Sequence, residues 1–410
     1  NFKSFRKIDI KPGPVNLIIG ANGTGKSNFA DAIEFLMLCV RFSLKEAKNR
    51  RGGWEMLRRK RTGETGRVPH MKFQIALGPD ITRGIDSVNY QFELAGTDEV
   101  SVLEEKLTAR VHKRSAGRPI ARGIPNFSPD AEDIRIVRSG AIVSEWVAPG
   151  QNPNEIDKDT LFLSAFGQTG PIRTVADYLA SSRVYNIDAA IVKRRTNGTD
   201  SGADELDRFG DNLVLYLRQV FERAELKEKI IRDLRTAVPY IKDIEALVTF
   251  TMPTLEFTEA DSGFKFLVSQ MSDGTIRLLG LLSALMQEPP PAIQVVEEPE
   301  NALHPFAADL FLRAVRRAGS GKSLPTQSFL TSHSPVILDK LLAVEAMNEV
   351  GTSAFVTRRV DGGSVMEPAP PEVLHAIREN LARPSDFLRD GDFDDAPRQL
   401  KLPGMDAKAE

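Results

Sequence analysis

Four residues have the types and spacing to hold phosphate: Gly20, Gly25, Lys26 and Ser27, in the stretch GANGTGKSN. In the pattern Gly-x4-Gly-Lys-Ser the glycines let backbone N–H groups turn inward and cradle phosphate oxygens. Lys26 is expected to reach the β- and γ-phosphates of ATP and Ser27 to ligate Mg²⁺, with Asn22, Gly23 and Asn28 completing the loop and its exit. A second chemical group stands far along the chain. VVEEPENALHP, Val295 to Pro305, ends an apolar run in two adjacent carboxylates, Glu297 and Glu298. Carboxylates at the end of a buried strand are costly unless a positive charge meets them. Together with a phosphate loop, the first is expected to hold Mg²⁺ and the second to serve as general base or to orient the attacking water. Glutamate stands where aspartate is commoner and is one methylene longer, which leaves the two roles exchangeable.

Each group needs an element to place it. Val15 to Ile19 reads as a short buried strand, and the segment after Ser27 places Phe29, Ile33, Leu36 and Val40 on one helical face. Strand, glycine-rich loop and helix is the context a phosphate loop needs, with the helix N-terminus adding partial positive charge. Pro289 to Pro291 break the chain before AIQVV, a buried strand with Gln294 as its one polar residue, and Pro299 stops it. That strand is expected to lie beside the phosphate loop. Upstream, SQMSDGTIRLLGLLSALM offers Ser272 as a helix N-cap and Ile276 to Met286 as an apolar helix. Its N-terminal N–H groups suit a phosphate; a capped core helix is the plainer reading. Downstream, a helix is expected from Pro305 to Ala318, then a core strand over Ser328 to Thr331 ending in SHSP. His333 at that strand end is placed to sense the γ-phosphate side.

The order of phosphate loop, SDGT, EEPE and SHSP resembles an ABC-type ATPase head. The opening NFKSFRKIDI and the pairing of EEPENALHP with TSHSP look like the branch that contains RecF, SMC and OLD-type proteins. Most similar are stand-alone bacterial ATPases of this class, several from anti-phage defence systems. The resemblance covers most of the chain and is loose between Gly53 and Gly150. It implies an α/β P-loop fold with an antiparallel β subdomain and a helical lobe. It implies a head-to-head homodimer in which ATP on Lys26 and Ser27 of one copy is covered by Ser272 and Gly274 of the other. Asn301 and Ala302 then fall in the loop that crosses the interface, and His333 matches the switch histidine. Arg6 matches a basic residue that contacts nucleotide, and Gln168 a glutamine that senses Mg²⁺; an ordinary surface glutamine is the other reading of Gln168.

Composition narrows the class further. The 410 residues carry a net charge of −2, so no global polycation advertises nucleic acid. Cys39 is the only cysteine, and no apolar run approaches a membrane span, which together suggest a cytoplasmic protein without membrane partner. The chain begins at Asn1 rather than methionine, which leaves targeting open. The stretch from Lys26 to Ser272 is longer than in transporter ATPases. MKFQIAL, VNYQFELAG and VLEEKLTARV read as antiparallel strands, and Asp207 to Ala246 as helices. No long heptad array is present, which excludes SMC-like coiled-coil arms. Lys45 to Lys72 holds ten basic and three acidic residues. It fits two readings, a loop on DNA or RNA phosphates or a solvated, salt-bridged loop. After His333 too little chain is present for an α/β nuclease domain, so SDFLRDGDFDD is expected to end a flexible acidic tail.

The expected organisation has four segments. Residues 1–150 hold the phosphate loop and the β subdomain, and 151–260 a helical insertion. Residues 261–350 hold signature, acidic strand and His333, and 351–410 an extension with one helix over Pro371 to Leu381. Three functions fit: an ATP-driven dimer switch gating a separate effector such as a nuclease in defence or repair, a RecF-like DNA clamp, and a scaffold that binds ATP without turnover. Assemblies larger than a dimer fit the first and third.

Overall fold

A computed structural model describes residues 1–59, 70–78, 85–96, 99–111, 134–148, 153–167, 170–194, 204–249, 252–320, 326–342 and 351–378. The chain divides into two compact units. One comprises Asn1–Lys7, Asp31–Ser182 and Asp361–Gly363, and the other Ile8–Ala30, Arg183–Val360 and Ser364–Glu410.

The second unit is built on the central sheet. Its strands run in the order Gly363–Pro368, Thr352–Val360, Val15–Ile19, Gln327–Ser332, Ile293–Glu297 and Arg183–Tyr185. The contacts from Thr352–Val360 through to Arg183–Tyr185 are all parallel. Parallel strands buried on both faces read as continuous apolar runs, which is how Val15–Ile19 reads in the sequence and how it is buried. One expectation changes here. The acidic strand does not pair with the phosphate-loop strand: Gln327–Ser332 lies between them, which sets them about 10 Å apart by two strand spacings. Polar side chains buried in this sheet find hydrogen-bond partners, although Gln294 Oε1 is left without one. Gln294 donates to Ser328 Oγ (2.7 Å), and Asn16 donates to the Ser328 carbonyl (3.1 Å).

Helices Asp273–Leu285, Pro305–Gly319, Leu213–Val220 and Ala224–Ala237 supply much of the rest of this core. The helical reading of Asp207 to Ala246 holds for two helices and fails at its end. Ile241–Thr249 is a strand, paired antiparallel with Met252–Glu259. Ile241 and Ile244 are three apart, a helical spacing, yet both are buried on the strand because a bulge opposite Thr258 and Glu259 inserts an extra residue between them. The helix after Pro370 is described over Pro371–Arg378.

The first unit contains a five-stranded antiparallel sheet, ordered His70–Leu77, Ile85–Gly96, Val100–Val111, Ile134–Ser139, Ile142–Val147. The three strand segments read from the sequence lie in it. Tyr90, Phe92, Leu94, Leu107 and Ile136 join Phe35, Leu38, Phe162 and Leu179 in one core. Within that core sits a full ion pair: Glu105 and Arg138 face each other in register, 2.6 Å apart, both side chains 0% exposed. Its remaining valences are met. Glu105 accepts from Tyr90 Oη (2.6 Å) and from the Phe162 N–H (3.0 Å), and Arg138 donates to the carbonyls of Asp157 (3.1 Å) and Thr160. The tail from residue 379 onward, including the acidic stretch, lies outside the described residues.

Candidate nucleotide site

The C-terminal ends of the parallel strands converge on one edge of the central sheet. Ile19 is level with Ser332, and Thr331 with Glu297. Ligands of open α/β sheets bind at this edge, because the loops and helix N-termini that follow the strands collect there.

The phosphate loop leaves Ile19. Gly20 is packed so closely that a Cβ would lie 2.5 Å from the Thr357 carbonyl oxygen and collide with the Thr357 hydroxyl. Thr24 Oγ1 bonds Thr357 Oγ1 (2.7 Å) and the Ala21 carbonyl (2.8 Å), and Thr357 in turn donates to the Ile19 carbonyl (3.1 Å). Thr357 thus fastens both ends of the loop, a role no sequence motif announces. Gly23 (φ +79°) and Gly25 (φ +118°) occupy backbone angles that other residues resist. Ala21, Asn22 and Gly23 are exposed, whereas Lys26 is buried, its Nζ donating to the carbonyls of Gly20 (2.5 Å) and Ala21 (3.0 Å). Ser27 is exposed on the first turn of the helix Lys26–Arg41. The helix is held to the sheet by Phe29 against Phe329, centroids 5.1 Å apart. A crowded glycine, a buried ammonium curled over the loop and an exposed hydroxyl at the helix start fit a nucleotide's phosphates and a Mg²⁺ ion. Gly20→Ala is expected to weaken binding of a fluorescent ATP analogue at least about tenfold and to cost ~1–3 kcal/mol in a melting experiment, because the carbonyl it meets is backbone and cannot step aside.

At the end of the acidic strand the two glutamates face different partners. Glu297 is the last strand residue, its side chain 4% exposed and ion-paired with Arg208. Glu298 turns into the left-handed region (φ +45°), held there by its N–H bond to the Thr331 carbonyl (3.0 Å). Its carboxylate accepts from Asn301 Nδ2 (2.7 Å) and lies 3.4 Å from His333 Nδ1. So the structure brings Glu298, Asn301 and His333 together. Glu300 adds a further tie: it accepts from Ser332 Oγ (2.6 Å) and from the His333 N–H (3.4 Å), fixing the strand end from which His333 projects.

Arg277 was not singled out by its sequence, though one signal was there: a cation inside the otherwise apolar run Ile276 to Met286 must be met by something negative. Its guanidinium donates to the carbonyls of Glu297 (3.2 Å), Glu298 (2.8 Å) and Ile187. Burial lowers its pKa, opposed by Glu300, Asp188 and Glu298. The helix Asp273–Leu285 is therefore tied to the acidic turn. Its N-cap is Ser272, whose Oγ accepts from the Thr275 N–H (3.2 Å). Gly274 leaves no room for a side chain, since a Cβ would lie 2.6 Å from the Ala302 carbonyl. The start of this helix and the Asn301–Ala302 loop are thus in close contact.

The family described as "AAA domain, putative AbiEii toxin, Type IV TA system" matches residues 15–339. The chain belongs to this family. That membership agrees with the mixed α/β fold and the phosphate loop at the end of Val15–Ile19. Three solved structures are similar to this AAA-family chain. An SMC head bound to the C-winged helix domain of ScpA is 14% identical, with a TM-score of 0.47 over 90% of this chain and 96% of that one. The SMC head domain from Thermotoga maritima is 16% identical, with a TM-score of 0.39 over 90% and 96%. A Smc head with an extended coiled coil bound to the C-terminal domain of ScpA, from Pyrococcus furiosus, is 12% identical, with a TM-score of 0.47 over 92% and 97%. No curated protein matches the sequence.

Arg6 belongs to the first unit, where it donates to the Asp361 carbonyl (3.0 Å) and approaches the Asp361 carboxylate (3.8 Å). Gln168 and residues 60–69 of the basic stretch lie outside the described residues. The described part of that stretch is not the loop both readings expected: Leu44–Arg50 and Trp54–Leu57 are helices that bury Ala47, Trp54 and Leu57, while Arg50 pairs with Glu46, Arg51 with Asp31 and Glu34, and Arg58 with Glu55. Among the described residues no helix is long and apolar enough to cross a membrane.

Proposed function

We propose that this AAA-family head binds and slowly hydrolyses ATP, and that nucleotide switches it between separate copies and a head-to-head dimer. The observation that carries this reading is the alignment of Lys26, Glu298 and His333 on one sheet edge, with the signature surface of Ser272, Gly274 and Ala302 built into the same unit. Lys26 and the loop N–H groups hold the phosphates; Ser27 and Glu297 would hold Mg²⁺. Bound there, Mg²⁺ would neutralise charge on the transferred phosphoryl group. Glu298 orients a water molecule and accepts its proton as the water oxygen bonds to the γ-phosphorus and the bond from phosphorus to the β–γ bridging oxygen breaks. His333, 3.4 Å from Glu298 Oε1, holds that carboxylate in place.

Switching requires that ATP bind one state better than the other. It does so if the phosphates meet Ser272 and Gly274 of a second copy only in the closed dimer. The output falls on a separate effector, such as a nuclease, in a defence or repair complex. Light scattering with and without Mg-ATP tests this on wild type and Glu298→Gln. The expected result is a monomer that becomes a dimer or larger assembly, accumulating most in the variant. A mass that ignores ATP in both proteins would sink the head-to-head mechanism and favour a preassembled scaffold.

A further inference from the structure

Glu297 already has a cation. Arg208 reaches it from the Asp207–Gly210 turn, and the two side chains are 16% and 4% exposed, so solvent screens the pair little. A guanidinium in contact with that carboxylate and a divalent ion on the same group would set three positive charges together in a poorly screened place. We propose that Arg208 is the resting counter-ion of Glu297 and must leave it before Mg²⁺-bound nucleotide can be held. This rests on Glu297 being a metal-holding residue.

The surroundings support a side-chain swing rather than a moving loop. The backbone at this turn is tied down: the Arg208 carbonyl accepts from the Asn186 N–H (2.7 Å), and the Phe209 carbonyl from the Asp188 N–H (3.0 Å). Asp207 N–H is held by Asn212 Oδ1 (2.9 Å). The guanidinium carbon already lies 5.5 Å from the centroid of the Phe209 ring, and that ring is 40% exposed. The guanidinium can therefore turn away from Glu297 along this exposed ring without breaking a backbone bond. While it stays, it answers the desolvation cost of Glu297, which otherwise would be a buried, unpaired carboxylate. The arrangement keeps the acidic strand end satisfied in both states and raises the Mg²⁺ concentration that nucleotide binding needs.

The test is the Mg²⁺ concentration giving half-maximal binding of a fluorescent, non-hydrolysable ATP analogue, for wild type, Arg208→Gln, Glu297→Gln and the double variant. Arg208→Gln is expected to lower that midpoint about tenfold, the scale of losing one partly buried competitor. The effect should vanish when Glu297 is already glutamine, and Glu297→Gln alone should raise the midpoint. An Arg208→Gln midpoint equal to or above that of wild type overturns the proposal and places Arg208 on the phosphate side or in a purely structural role. A Glu297→Gln midpoint equal to that of wild type instead removes Glu297 as the metal-holding residue. Arg208→Lys covers the case in which Arg208→Gln does not fold. It keeps the charge but loses the planar fork, so a smaller fall is expected and an unchanged midpoint counts against the competition.

Discussion

Glu298→Gln is expected to lower phosphate release by about 10²–10⁴-fold, the usual weight of a positioned general base, while analogue binding changes only a few-fold. Glutamine has nearly the same shape and keeps an acceptor for Asn301 Nδ2, so the left-handed turn at Glu298 and its bond to Thr331 should survive. What it loses is the ability to take a proton. Single-turnover release, followed beside equilibrium binding, separates the two effects. If release and binding fall together, the residue serves nucleotide binding and the base lies elsewhere. If the larger loss comes from Glu297→Gln, the two glutamates have exchanged roles, as the extra methylene of Glu297 allows.

Glu105→Ala should destabilise the protein by ~3–5 kcal/mol, since it strands Arg138 as an uncompensated buried cation. The variant also leaves Tyr90 Oη and the Phe162 N–H without their acceptor. Arg138 would keep its carbonyl partners, Asp157 and Thr160 among them, so the remaining structure cannot simply discard the charge. A urea titration reads the loss as a lower transition midpoint with little change in slope. A shift worth less than about 1 kcal/mol would mean that water reaches Arg138 when Glu105 is gone, and that the pair matters little to this core.

Much of the candidate site was legible because its signals are local. Gly20, Gly25, Lys26 and Ser27 sit within eight consecutive positions, and a phosphate loop is fixed by backbone angles and one helix start. The same holds for the Ser272 cap, where a side chain bonds a backbone group three residues on. The acidic strand was recognisable as a short apolar run stopped by proline. Its neighbour was not, since strand order depends on which apolar faces pair across hundreds of residues; only the folded sheet put Gln327–Ser332 between the two. The strand Ile241–Thr249 escaped for a related reason. Ile241 and Ile244 stand three apart, and a bulge against the partner strand lets both be buried on a strand all the same.

The phosphate loop, the capped helix Asp273–Leu285 and the paired carboxylates could be read without any tertiary contact, because each is written in residues that are neighbours along the chain. Tertiary structure alone decided the partners of the charges. Arg208 and Arg277 converge on the acidic turn from 89 and 20 residues away, Thr357 closes the phosphate loop from a strand 333 residues beyond Thr24, and Arg138 finds Glu105 across a sheet. A buried charge states that it needs an opposite, but which one it receives depends on the packing that brings distant segments within a few ångströms.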